Sequence, residues 1–170
     1  MTFRTRLVPL PAMALLAFFA YPGVASPQDA AHLKGLTAVV VHVNPIVSPT
    51  GTIDVSMTQL EAEIQQRLRQ AGITIVSGQA PRPFGTQGHL WADVVMIRSS
   101  PGSSQWFLQT SVKLYGSVVL AGSNERGEAI TWGTDRIQIV DTSQIDARLR
   151  EDLNFLIDDF SRAYQSVNPR

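Results

Sequence analysis

The 170-residue chain has no cysteine, only three histidines, and charged residues amounting to 16% of the total. Without cysteine, a disulfide-stapled mini-protein, a thiolate nucleophile and a lipid-anchored lipoprotein are all excluded. Neither sign of charge is in excess: 14 Lys and Arg face 14 Asp and Glu. That balance argues against a nucleic-acid partner, because such surfaces carry a basic excess or stripe. The common catalytic signatures are missing as well. There is no Gly-x-Ser-x-Gly elbow, no His-Glu-x-x-His, no phosphate-cradling Gly-x-x-x-x-Gly-Lys loop and no Gly-x-Gly-x-x-Gly fingerprint. Asn-x-Ser/Thr sequons are also absent, which fits a bacterial envelope better than a eukaryotic secretory route.

What is present is a 44% hydrophobic composition, which excludes general disorder. A chain of this length forms one domain that buries roughly two-thirds of its unfolded surface. Its amino terminus reads as a processing signal. Arg4 and Arg6 precede a mostly apolar run, Leu7 to Ala20, and the small residues Gly23-Val24-Ala25-Ser26 follow, so cleavage is expected near Ala25. The 14-residue run contains Pro9 and Pro11 and is shorter than the ~20 residues that span a bilayer. Residues 1–25 are therefore read as a signal peptide, 26–34 as a short flexible leader and 35–170 as one domain. No transmembrane segment is expected after signal removal. The processed chain carries 12 basic and 14 acidic residues, a formal charge of −2.

The domain alternates strands and helices. Leu36 to Val43 is β-branched and nearly continuously apolar, the pattern of a strand covered on both faces. Asn44 to Val55, with Pro45, Pro49 and Gly51, reads as a loop. Ser56-Met-Thr-Gln59 and Thr58-Gln-Leu-Glu61 match capping boxes, and Leu60, Ile64, Leu68 and Ala71 follow at helical spacing, ending at Gly72. Glu63 and Arg67, four apart, are expected to pair on this helix. Ile73 to Val76 is expected to form a second strand, parallel to the first. A loop from Gly78 to Gly88 precedes three antiparallel strands: Leu90 to Arg98, Gln105 to Leu120 and Glu128 to Val140. Leu149, Leu153, Leu156, Phe160, Ala163 and Val167 mark one stripe of a final helix that begins near Thr142 or Ser143. The expected fold class is α+β: a two-layer sandwich with a five-stranded mixed sheet in the order 2-1-3-4-5 and two helices on one face.

Register follows from the requirement that each face make sense across paired strands. Leu90, Ala92, Val94 and Met96 opposite Leu114, Val112, Thr110 and Leu108 give one apolar face, to be covered by the helices. In the last hairpin, Trp132 is expected opposite Gly116, and a one-residue slip at a Gly133 bulge keeps Ile137 and Ile139 on an apolar face. Trp106 and Trp132 read as core residues. Glu151-Asp152 and Asp158-Asp159 read as a solvated acidic face of the last helix.

The other sheet face is mixed. It carries Trp91, Asp93, Phe107, Gln109, Lys113 and Tyr115, with Trp91 opposite Lys113 and Asp93 opposite Ser111. Aromatic residues among a few polar groups are the composition of contact surfaces, so these six are candidate binding residues; Arg82 and Phe84 in the Gly78 to Gly88 loop are a second group. The edge offered by the short second strand could accept a partner strand. His42 reads as a hydrogen-bonded strand residue. His89 and Asp93, four apart on one strand, could supply two ligands of an alternative metal-dependent or hydrolytic site, but a zinc site needs a third and usually a fourth, and none is visible. No cofactor and no metal is assigned.

Several segments carry a family resemblance: Leu33-Lys-Gly-Leu36, the helix end Arg67-Leu-Arg-Gln-Ala-Gly-Ile73, Thr131-Trp132, and the close from Phe160 to Pro169. Together they resemble a group of small, signal-bearing secreted or periplasmic bacterial proteins to which no function is assigned. The layout is more loosely similar to α+β domains of envelope assembly factors, namely the amino-terminal domain of the Tol-Pal translocation protein and the curli secretion lipoprotein. The missing lipidation cysteine departs from the latter. The resemblance implies an exported bacterial protein and carries over no catalytic residue. The expectation is a soluble periplasmic accessory or binding protein that contacts an envelope partner, or forms a homodimer, through the open face or the sheet edge.

Overall fold

A computed structural model describes residues 30–49, 55–77 and 83–169. The signal segment, residues 26–29 of the leader and Arg82 lie outside them. A 3-10 turn at Ala31–Leu33 leads into β1 (Ala38–Val43), α1 (Met57–Gln70), β2 (Gln87–Arg98), β3 (Gln105–Val119) and β4 (Arg126–Asp141). A second 3-10 turn, Thr142–Gln144, then opens α2 (Ile145–Val167). The sheet order is β1-β2-β3-β4, with β1 parallel to β2 and the remaining pairs antiparallel.

Local chemistry sets the ends of α1. Ser56 Oγ accepts the Gln59 N–H at 3.3 Å, the expected amino-terminal cap. At the other end Gly72 has φ +78°, and the Gly72 and Ile73 N–H groups return to the Arg69 and Leu68 carbonyls. Those two bonds form the left-handed helix stop that glycine favours.

The expected second strand is the first correction. Ile73 turns into the core at 2% exposure, and only Ile75 forms a bridge, parallel to Val39. Two hydrogen bonds carry it, Val39 N–H to Thr74 C=O and Val76 N–H to Val39 C=O. Because α1 closes with its last residues already committed to the core, the extended path lasts too briefly to build a ladder. Among the described residues the sheet has four strands instead of five. In the loop after β1 the chain returns to β2 beyond Pro45, where Val47 forms an isolated bridge with Val95.

The β2–β3 register matches the parity argument residue for residue, from Leu90 opposite Leu114 to Met96 opposite Leu108. The β3–β4 register does not. The turn closes Val119 on Arg126, Leu114 pairs with Trp132 while Tyr115 pairs with Ile130, and Thr131 is the extra residue of the bulge. Gly133 lies in regular register opposite Lys113, and Gly116 lies opposite Ala129. Gly116 has a different use from the one expected. A Cβ at Gly116 would come within 2.9 Å of Thr131 Oγ1, so its bare Cα makes room for the bulged side chain. The slip leaves Ile137 and Ile139 on the open face, 66% and 60% exposed, against the expected burial.

Both helices cover one sheet face. The core joins Leu60, Ile64 and Leu68 of α1 with Leu149, Leu153, Leu156 and Phe160 of α2 over Val39, Val41, Leu90, Met96, Leu108 and Leu114. Trp106 and Trp132 are core residues, as the sequence implies, and the Trp132 ring meets Phe160 edge-on at 5.1 Å.

The acidic face of α2 is the second major correction. Asp152 and Asp159 are buried, and only Glu151 keeps the solvated character expected of the group. Asp152 accepts from Gln138 Nε2 at 2.6 Å and lies 3.1 Å from Arg136 Nη1. The half of β4 beneath α2 presents polar side chains toward the helix, and a buried carboxylate satisfies them. Arg67 pairs with Asp158 rather than Glu63, and Glu63 pairs with Arg150 of α2.

Candidate functional site

The open face of the sheet gathers the candidate residues into three zones. At its centre Asp93 is a hub. Its Oδ1 accepts from Asn44 Nδ2 at 2.5 Å, and its Oδ2 accepts from Lys113 Nζ at 3.1 Å and Ser111 Oγ at 3.5 Å. These side chains, with Pro45, Val47, Val95 and Gln109, line a groove of about 610 Å3. The strands explain the assembly. Cross-strand pairing sets Asp93 against Ser111 and Trp91 against Lys113, and Asn44 arrives because its N–H continues the β1 ladder to the Ala92 carbonyl.

Toward the carboxyl end of β2 the face turns apolar. Ile97, Phe107 and Ile139 lie side by side across three strands, Gln109 sits beside Ile137, and Val47 bridges Val95. Val47, Ile97, Phe107, Ile137 and Ile139 are all exposed. A contiguous apolar band on a small domain is more informative than scattered surface apolar residues.

Toward the amino end of β2 the face is aromatic and titratable. His42 Nε2 lies 3.1 Å from His89 Nδ1, and the His42 ring stacks on Trp91 at 4.2 Å. Burial and the neighbouring His89 hold the His42 imidazole below its usual pKa, while the charge of Glu61 opposes them. Tyr115 pairs with His89 across β2–β3. Phe84 is exposed and carries the Arg126 guanidinium over its ring at 4.6 Å.

The structure thus brings Trp91, Asp93, Phe107, Gln109, Lys113 and Tyr115 to one face, and sets Phe84 at the end where Gln87, His89 and Arg126 line a smaller groove of about 400 Å3. It separates His89 from Asp93 in their bonding: His89 contacts His42, while Asp93 is held by Lys113 and Asn44. Among the described residues no three His, Asp or Glu side chains are placed to hold a metal ion. The face also holds His42, read from the sequence as a hydrogen-bonded strand residue and bonded here to His89, together with Asn44, Val47, Ile137 and Ile139, which the sequence did not mark as candidates. His42 stands on the open face because the parallel β1–β2 register sets it beside Trp91, which no pattern within β1 records. The β4 isoleucines depended on the position of the bulge.

No protein-family model matches the chain. No curated protein matches it. Among solved structures, the PelC dodecamer from Paraburkholderia phytofirmans shows 16% identity over 74% of this chain and 88% of that one, with a TM-score of 0.43. A hypothetical protein from Chlamydia trachomatis shows 11% identity over 79% of this chain and 99% of its own, with a TM-score of 0.41. The rare lipoprotein B from Shewanella oneidensis shows 16% identity over 76% and 93%, with a TM-score of 0.38.

Proposed function

We propose that this is an exported, non-catalytic binding protein of the bacterial cell envelope that holds an extended segment of another protein along β4. The observation that carries the reading is the continuity of the exposed apolar band with an edge strand. β4 is 16 residues long, contains no proline, and has no strand beyond it among the described residues. An added strand would satisfy its outward N–H and C=O groups, and apolar side chains at alternate positions of that strand would lie beside Ile137 and Ile139. The amino-terminal Arg4, Arg6 and Leu7 to Ala20 pattern supports export. Among the described residues no helix is long and apolar enough to cross a membrane.

The test is a photoreactive residue placed at Phe107 or at Ile137 in cells, with Glu151 on the opposite layer as control. Adducts of one discrete mass from the two face positions and none from Glu151 are expected. An adduct of twice the chain mass would assign the face to a second copy and overturn a foreign partner. A lack of adducts at all three positions would remove the face from consideration.

A further inference from the structure

We infer that the segment held along β4 carries a basic residue at each end of an apolar pair: Lys or Arg at its first and seventh positions and aliphatic residues at its third and fifth. The inference rests on the strand-binding reading above and names the chemistry of the partner. Backbone polarity decides which residues that partner meets. Ser99 N–H donates to the Gln105 carbonyl and Thr142 N–H to the Ser104 carbonyl, so Gln105 turns its backbone toward β2 and Ser104 turns toward β4. Alternation along an antiparallel pair then points the N–H and C=O groups of Asp135, Ile137, Ile139 and Asp141 away from β3, to the open edge.

The side chains of the same four residues share one face, because they stand two apart on the strand, and all four are exposed. The edge therefore reads acid, isoleucine, isoleucine, acid over roughly 20 Å. That order is the same from either end, so a parallel or an antiparallel strand presents the same complement. Main-chain bonds to the edge supply affinity, and the alternate side chains supply specificity. Neither carboxylate pairs with a cation among the described residues. Asp141 accepts from the Ser104 hydroxyl at 3.3 Å, and the cations nearby in register, Lys113 and Arg136, are held by Asp93 and Asp152.

The same pattern works against a second copy of the chain. A two-fold pairing of β4 with β4 that sets Ile137 opposite Ile139 also sets Asp135 opposite Asp141, and like charges directly opposite are destabilising. No two Lys or Arg residues of the chain stand six apart, so no other segment of it supplies the complement. Charges on an edge strand guard it against self-association, and here they leave it open to a basic segment. The partner's second and fourth positions fall beside Arg136 and Gln138, both already held by Asp152, so polar residues suffice there.

The experiment measures, by fluorescence polarisation, binding of the full chain to the labelled peptide Lys-Thr-Val-Thr-Val-Thr-Lys, blocked at both ends, and to the same peptide with Glu in place of both Lys. Saturable binding of the lysine peptide with Kd on the order of 50 μM is expected, with the glutamate peptide at least about tenfold weaker. The difference should shrink in about 0.5 M sodium chloride. Asp135→Lys combined with Asp141→Lys should reverse the preference, and the gain for the glutamate peptide shows that the variant is folded. Ile137→Asn should weaken the lysine peptide as well. No saturable binding of the lysine peptide below about 1 mM would overturn the inference, as would equal affinity of the parent chain for the two peptides. Equal affinities that both fall in Ile137→Asn would remove the basic pattern and leave the strand-binding reading standing. Discrete adducts at Ile137 in cells, with neither peptide bound, would do the same.

Discussion

The Arg67 guanidinium of α1 and the Asp158 carboxylate of α2 meet as a two-point fork, Nε to Oδ1 and Nη2 to Oδ2, each at 2.6 Å. The hydrogen bond to Asp158 leads the causes that raise the arginine's pKa. The pair fixes how the two helices lie on each other, because planar bidentate geometry admits few alternatives. Both side chains are about two-fifths exposed, 38% and 41%, so solvent screens most of the attraction. Asp158→Ala should therefore lower stability by only about 0.5–1 kcal/mol in urea unfolding, and the loss should shrink in 1 M salt. Arg67→Lys should lose a comparable amount, since a point charge cannot reproduce the fork.

Asp152 gives a pH dependence with a definite sign. Burial raises its carboxyl above 3.8, against the opposing pull of Arg136 and Gln138. The folded protein therefore keeps this proton to a higher pH than the unfolded chain does. The stability it contributes is full below the unfolded value and is lost as pH rises through the folded one. His42 acts in the reverse sense: its pKa is lowered from 6.5, so its contribution is present above that value and declines on acidification. Urea unfolding of the parent and of Asp152→Asn between about pH 4 and 7 separates the two. The variant should lose the decline with rising pH that Asp152 causes and keep the change due to His42. Asp152→Ala should instead cost about 1–3 kcal/mol at pH 7, because Arg136 and Gln138 lose their acceptor.

The β4 bulge predicts a paired rescue. Gly116→Ala places a methyl group 2.9 Å from Thr131 Oγ1 and 3.0 Å from its Cγ2. A cost of about 1–3 kcal/mol is expected, the range for overpacking. Thr131→Ala in the same chain should recover most of it, and thermal unfolding of the four members of the cycle reads the coupling directly.

Trp106 predicts the strength of the junction between β4 and α2. Its indole Nε1 donates to Thr142 Oγ1 at 3.0 Å, and the Thr142 hydroxyl donates to the Ser104 carbonyl at 2.9 Å. Trp106→Phe removes the first bond and leaves a gap in a site that is 1% exposed. It should destabilise the domain by about 2–3 kcal/mol, more than Thr142→Ala, whose position is exposed and whose partners water can reach.

Much of the fold was legible because it is written in local chemistry. Ser56 and Gly72 bound α1 through bonds among near neighbours in the chain, and alternation alone set the β2–β3 register, since a one-residue slip would have turned an apolar face outward. The candidate face followed from the same parity, which gathered Trp91, Asp93, Phe107, Gln109, Lys113 and Tyr115. Where local pattern did not decide the structure, the deciding contact lay far along the chain. Ile73 to Val76 has the composition of a strand, yet the core claims Ile73 and leaves one bridge at Ile75. The β4 slip depended on which residue Gly116 could accommodate, and no pattern within β4 itself records that.

The sequence by itself determined the class of the domain, the limits of its first helix, the pairing of its central hairpin and the absence of any thiol side chain. These rest on composition and on interactions within a few residues or one strand pair. Only the tertiary structure decided that Asp152 and Asp159 are buried, that Ile137 and Ile139 face outward, and that His42 meets His89. Helical periodicity locates a polar stripe without saying what lies across from it. For α2 the neighbour is the polar stretch of β4 at Arg136 and Gln138, and for His42 it is a residue 47 positions away that the parallel β1–β2 register brings alongside.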